Sequence, residues 1–204
     1  MSLGGTVHVI DDDDAVRDSL SMLLDASGFS VSAYASAAAF LEGLDSAPSG
    51  CVVTDVCMPE ISGLDLLRRL SDRLPQFPVI VLTGEADVPM AVEALKNGAL
   101  DLIEKPYSGE TIIAAVRQAL TQLEVRSDRD SRRSEAAERL AALSAREREV
   151  LAGVVRGLSN KEVARELGIS PRTVEAYRAN LMMKMGADSL SDLVRMAIEA
   201  RNEG

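Results

Sequence analysis

Soft metal ligands are scarce in this chain: its 204 residues include two cysteines and one histidine. That is too few for a structural zinc site. Cys51 lies in the apolar run Cys51-Val52-Val53-Thr54, which predicts a buried strand. Extended, the run carries Cys51 about 13 Å from Asp55 before the chain can turn. A Cys51–Cys57 bridge needs α-carbons within about 7 Å, so none is expected. Both cysteines read as small buried apolar residues. No run of eighteen apolar residues occurs, and no bilayer-spanning helix is expected. The opening Met1-Ser2-Leu3-Gly4-Gly5 has no basic patch, so no secretory signal is expected and the expected address is cytoplasmic.

Positive charge is also short, with 22 Lys and Arg against 32 Asp and Glu, a net charge of −10. The deficit lies entirely in the front. Residues 1–124 hold 7 basic and 19 acidic side chains, and residues 125–204 hold 15 and 13. An acidic front and a mildly basic back predict two modules, with any polyanion partner at the back. With 47% apolar residues, both have the means to bury a core.

The front alternates short β-branched runs with helical patterns. Strands are predicted at Val7–Ile10, Ser30–Tyr34, Cys51–Thr54, Val79–Thr83 and Leu102–Glu104. Helices are predicted near Ala15–Ala26, Ala37–Leu44, Leu64–Leu74, Val88–Asn97 and Gly109–Leu123. The pattern predicts an α/β fold, a five-stranded parallel doubly wound sheet covered on both faces. Residues 125–142, rich in Arg, Asp and Ser, read as a charged, solvated linker with helix propensity towards Glu135–Leu140. The back, residues 143–204, reads as an all-α four-helix unit. Ser144-Ala145-Arg146-Glu147 and Ser159-Asn160-Lys161-Glu162 match capping boxes, and Ser170 precedes a proline at the first helical position.

In a parallel α/β sheet, functional side chains gather at the carboxyl ends of the strands. Here that edge receives Asp11 and Asp12 from the first strand, Asp55 from the third, Thr83 from the fourth and Lys105 from the fifth. Clustered carboxylates repel one another unless a cation sits among them, and Mg²⁺ takes such oxygen ligands. A carboxylate can then attack a phosphoryl group, with Lys105 and Thr83 meeting its oxygens. Asp13 and Asp14 need no metal, since acidic residues favour a helix N-terminus.

Val7-His8-Val9-Ile10-Asp11-Asp12, Val53-Thr54-Asp55-Val56-Cys57-Met58-Pro59, Val81-Leu82-Thr83-Gly84 and Ile103-Glu104-Lys105-Pro106 together resemble the receiver domains of two-component response regulators. The resemblance covers about residues 5–123. It implies that Asp55 is the phosphoacceptor for a sensor histidine kinase. It further implies that Asp11, Asp12, Asp55 and the Cys57 backbone carbonyl hold Mg²⁺, and that Thr83 and Lys105 are the phosphate switch. A cis Lys105–Pro106 bond is expected, and Cys57 and Glu85 stand where the family tunes phosphoaspartate hydrolysis. Leu102 replaces the aromatic that many receivers carry on the fifth strand, so the switch is expected to run through Thr83 and the loop after it. Val92 and Lys96 on the fourth helix are the expected dimer face.

In the back, Ser159–Leu167 and Ser170–Met185 form a helix pair able to lay its second helix in a DNA major groove. Val174, Leu181 and Met185 should pack inward. Arg172, Arg178 and Lys184 are placed to meet phosphates, and Glu175 to accept from a cytosine amino group. Leu143-Ser144-Ala145-Arg146-Glu147-Arg148-Glu149-Val150-Leu151, Asn160-Lys161-Glu162-Val163-Ala164 and Ser170-Pro171-Arg172-Thr173-Val174-Glu175 resemble the LuxR-type helix-turn-helix domain of the NarL/FixJ family. The resemblance puts Glu175, Ala176 and Ala179 where base edges are read, with Lys161, Thr173 and Asn180 beside them. Residues from Ser189 onward would pair two copies on DNA. It implies a homodimer when phosphorylated, a FixL-like kinase, double-stranded DNA, RNA polymerase as a further partner, and nitrogen-fixation genes as targets.

Two other functions fit the sequence less well. A Mg²⁺-dependent phosphatase of the haloacid dehalogenase type needs a second carboxylate two residues after the nucleophile, where this chain has Cys57. A regulator that sequesters a protein, with a vestigial helix-turn-helix, would leave residues 125–204 unable to bind DNA.

Overall fold

A computed structural model describes residues 4–84 and 88–200. The chain divides after Arg126 into two compact units. In the first, β1 (Thr6–Ile10), β2 (Ser30–Tyr34), β3 (Gly50–Asp55), β4 (Val79–Thr83) and β5 (Asp101–Glu104) alternate with α1 (Asp14–Ala26), α2 (Ala37–Gly43), α3 (Gly63–Arg69), α4 (Val88–Lys96) and the first half of α5 (Gly109–Ala141). All pairings are parallel and the spatial order is β2-β1-β3-β4-β5. This is the expected doubly wound sheet.

Burial explains the order. Every residue of β3 and β4 is buried, as central strands covered on both faces require. Flanking β2 and β5 carry exposed Ser30, Asp101 and Glu104, which discourages further strand pairing. One face packs Val7, Val9, Val53 and Leu82 against Leu20, Leu24, Ile112 and Val116. The other packs Ile10, Val52, Val79 and Val81 against Phe40, Leu66, Leu67 and Ala94. His8, fully buried, adds its ring to Tyr34, Phe40 and Phe77.

Two elements differ from expectation. The helix predicted over Leu64–Leu74 ends at Arg69 and continues as a short 3-10 turn, Ser71–Arg73. The charged stretch 125–142, in which helix was expected only towards Glu135–Leu140, is helical as far as Ala141. No glycine or proline lies between Gly109 and Gly153, so nothing in the backbone chemistry interrupts the helix. Residues 124–132 are solvent-exposed along it.

The second unit contains α6 (Ala145–Val155), α7 (Asn160–Leu167), α8 (Pro171–Met185) and α9 (Leu190–Glu199). Both capping boxes form, and Ser170 and Ser189 cap α8 and α9. Gly168 and Gly186 end α7 and α8 in the left-handed conformation that glycine adopts without strain. Val174, Leu181 and Met185 point into the core with Val150, Val163 and Leu193. The Arg139 guanidinium donates to the Met185 carbonyl at the negative end of α8.

Candidate functional site

Of the residues expected at the strand ends, Asp11, Asp55 and Lys105 are brought into direct contact. Asp55, the last residue of β3, is 7% exposed, and Thr83, the last of β4, is 1% exposed. Lys105 follows β5 and is joined to Pro106 by a cis peptide bond, as expected. Its ammonium donates to Asp55 Oδ1 at 2.6 Å and to Asp11 Oδ2 at 3.3 Å. Four strand ends far apart in sequence thus meet on one edge of the sheet, and one cation ties two carboxylates together. Burial opposes the charge on Lys105, but the hydrogen bonds and negative charges of Asp55 and Asp11 outweigh it and hold the ammonium above its usual pKa.

The carboxylates are also held from the backbone. The Cys57 amide donates to Asp55 Oδ2 at 2.9 Å, and the Asp13 amide to Asp11 Oδ1 at 3.0 Å. The chain after β3 turns so tightly that a side chain at Gly63 would lie 2.2 Å from the Asp55 carbonyl oxygen. Asp13 caps α1 by accepting from the Ala15 and Val16 amides, and Asp14 pairs with Arg17. Both serve the helix terminus, as expected. Sequence reasoning missed Arg17, whose guanidinium also donates to the Asp11 carbonyl at 2.8 Å. Its position three residues after Asp14, one helical turn, was the available signal.

Cys51 is buried, and burial pushes its thiol pKa up. Cys57 is exposed and not the buried residue expected of it, because the chain has left the sheet and its backbone amide, not its side chain, faces Asp55. Both are free thiols. Asp12 is exposed beside Asp11. Among the described residues no three His, Cys, Asp or Glu side chains are drawn together closely enough to hold a metal ion. The Lys105 ammonium occupies the space between Asp11 and Asp55. The donor set is nevertheless all hard oxygen, the type Mg²⁺ accepts. Glu85 lies outside the described residues.

The Thr83 hydroxyl donates to Met90 Sδ at 3.5 Å. Met90 stands in the first turn of α4, and Val88, Val92, Leu95 and Lys96 are exposed on the same helix. Leu102, half-buried, packs with Met90 against the α3–α4 side of the core.

On α8, Arg172, Thr173, Glu175, Ala176, Ala179 and Asn180 are exposed, as is Lys161 on α7. Met183, which sequence reasoning passed over, is 74% exposed on the same outward side. Two of the cations expected to meet phosphates are engaged within the unit. Arg178 donates to Asn160 Oδ1 at 2.6 Å, tying α8 to α7. Lys184 bonds both oxygens of Glu147, at 2.8 and 2.9 Å. Glu147 is only 4% exposed. Its hydrogen bond from Lys184, followed by that from the Ser144 amide, pulls its pKa down to about 2. Among the described residues no helix is long and apolar enough to cross a membrane.

Residues 7–117 match the response regulator receiver domain family, and residues 141–197 match the bacterial regulatory proteins of the luxR family. The chain is 56% identical over 194 residues to the transcriptional regulatory protein FixJ of Azorhizobium caulinodans, covering 95% of this chain and 92% of that one. It is similar to the crystal structure of full-length FixJ from B. japonicum, with 48% identity, 98% of each chain covered and a TM-score of 0.61. It is also similar to the response regulator StyR, with 35% identity, 96% and 99% covered and a TM-score of 0.81.

Proposed function

Because the chain belongs to the two-component response regulators, with a receiver domain and a LuxR-type DNA-binding domain, we propose that its activity is set by phosphorylation of Asp55. The supporting observation is the environment of that carboxylate. It sits at a central strand end, with Lys105 on one oxygen and the Cys57 amide on the other. A carboxylate oxygen attacks the phosphorus of a phosphohistidine on the partner kinase. The P–N bond breaks, the imidazole leaves with its electron pair, and an acyl phosphate remains on Asp55.

Asp11, Asp12, Asp55 and the Cys57 carbonyl are the residues that would hold Mg²⁺, which when bound offsets negative charge on the phosphoryl oxygens. Lys105 supplies a second positive charge to those oxygens, and the Thr83 hydroxyl a hydrogen bond. Asp55 itself is nearly buried, but exposed Cys57 and partly exposed Lys105 beside it leave water a path to the acyl phosphate, so slow self-hydrolysis is part of this reading.

The phosphorylated receiver pairs with a second copy through the α4 surface that carries Val92 and Lys96. The paired α8 helices then read DNA, with Glu175, Ala176 and Ala179 towards the bases and Arg172 and Lys161 towards phosphates. Thr173 and Asn180 flank that surface. A switch from 1% to 99% active requires about 5.5 kcal/mol of differential stabilisation, which favours a mechanism that changes both the receiver surface and the pairing of the DNA-binding units. The FixJ-like sequence suggests a FixL-like sensor kinase, nitrogen-fixation genes as targets, a cytoplasmic location and RNA polymerase as a further partner. The test is mass analysis of the Asp55 peptide and of oligomer size, with and without acetyl phosphate and Mg²⁺. Modification of another residue would overturn the proposal.

A further inference from the structure

Beyond the phosphoacceptor itself, the contact between Thr83 and Met90 has a consequence for α4. We infer that Met90 is the residue through which Thr83 reports the phosphorylation of Asp55 to α4, an inference that rests on the receiver reading above. The Thr83 hydroxyl proton is directed at a thioether sulfur on the first turn of α4. A thioether is a weak acceptor, whereas a phosphoryl oxygen is anionic and strong. When a phosphoryl group arrives on Asp55, the same proton turns to it, and the tie to Met90 is given up.

Met90 is well placed to pass that loss on. It is half-buried and packs in the cluster that includes Val81, Ala94, Ala99 and Leu102. Leu102 is paired in register with Val81, next to Thr83's own strand. Ala94, one turn after Met90, is fully buried, while Val88, Val92 and Leu95 are exposed. Met90 and Ala94 therefore anchor the inward side of α4, and Val88, Val92 and Leu95 form its outward apolar stripe. Release of the inward anchor shifts the outward stripe. An unbranched thioether side chain with three rotatable bonds repacks readily, so the signal requires no aromatic ring at position 102.

The experiment uses the full chain with methyl-¹³C methionine, acetyl phosphate and Mg²⁺, alongside Met90→Leu, which keeps the volume and removes the acceptor. Mass analysis first establishes that Asp55 of both proteins carries phosphate. The Met90 methyl resonance of the wild-type chain is then expected to move on phosphorylation. In Met90→Leu, the phosphate-free dimer-to-monomer ratio is expected to rise about three-fold, the size a weak hydrogen bond supplies, with a matching fall in the gain on phosphorylation. A methyl resonance that stays in place while Asp55 is modified would overturn the inference. So would Met90→Leu dimer ratios equal to wild type in both states. An unmodified wild-type Asp55 would instead overturn the proposed function, and this inference with it.

Discussion

Lys184, in the last turn of α8, places its ammonium 2.8 Å from Oε1 of the buried Glu147 in the first turn of α6. Glu147 meanwhile accepts from the Ser144 amide and so closes the α6 capping box. One carboxylate thus finishes a helix start and fixes the far end of the helix proposed to read DNA. Removing Lys184 leaves the Glu147 carboxylate without its counter-charge in a poorly solvated place, whereas the half-exposed Lys184 ammonium stays in reach of water.

That carboxylate makes the helical unit sensitive to acid. Its folded-state pKa of about 2 is below the ordinary 4.5, so the unfolded chain binds the proton more readily. The stabilisation is fully present above pH 4.5 and is lost as pH falls towards 2. Glu147→Gln should lower Tm at pH 7, and the deficit should narrow between pH 4.5 and pH 2. A deficit that is constant across this range would count against the pairing.

Salt dependence separates cations that meet DNA from those that hold the fold. Arg172 is exposed near the start of α8, whereas Lys184 is committed to Glu147. In a titration of binding against salt, Arg172→Ala should reduce the slope of log K against log[salt] by about 1. Lys184→Met should weaken binding and lower Tm while leaving that slope near the wild-type value. The reverse pattern would make Lys184 the phosphate contact.

Gly63→Ala reverses the sign that helix propensity predicts. Alanine in a helix is favoured over glycine by about 1 kcal/mol, yet here its Cβ would sit 2.2 Å from the Asp55 backbone oxygen. A net loss of about 2 kcal/mol or more is expected, read as a lower urea midpoint. The displaced Asp55 should also accept phosphate from acetyl phosphate more slowly.

Asp55→Asn tests the acceptor. The amide can still accept from the Cys57 amide, so the turn is preserved, but the attacking carboxylate is gone. Acetyl phosphate should add no mass to the 55-containing peptide, and the dimer fraction should not respond. Growth of the dimer on addition of the donor would refute Asp55 as the switch.

Most of the sheet was legible because its strands carry near-continuous β-branched runs, and buried parallel strands leave that trace. The helix starts in the back were equally plain, since a serine cap with glutamate three residues later is a local signal. The extent of α5 was hidden by composition: alternating Arg, Asp and Ser looks like a linker, helix propensity stands out only towards Glu135–Leu140, and the lack of any glycine or proline is the remaining signal. The exposure of Cys57 was missed because it follows a buried run and the chain turns just before it.

Local chemistry in the chain determined which residues could serve: acidic strand ends, a lysine before proline, and capped helices with one apolar stripe. Folding decided which of them meet, since Lys105 reaches Asp11 and Asp55 across 94 and 50 residues. It likewise set Thr83 against Met90 and drew Lys184 away from the outer face of α8 to Glu147. Periodicity reports which side of an element is buried, but a side chain's partner depends on packing between elements, and no local pattern encodes that.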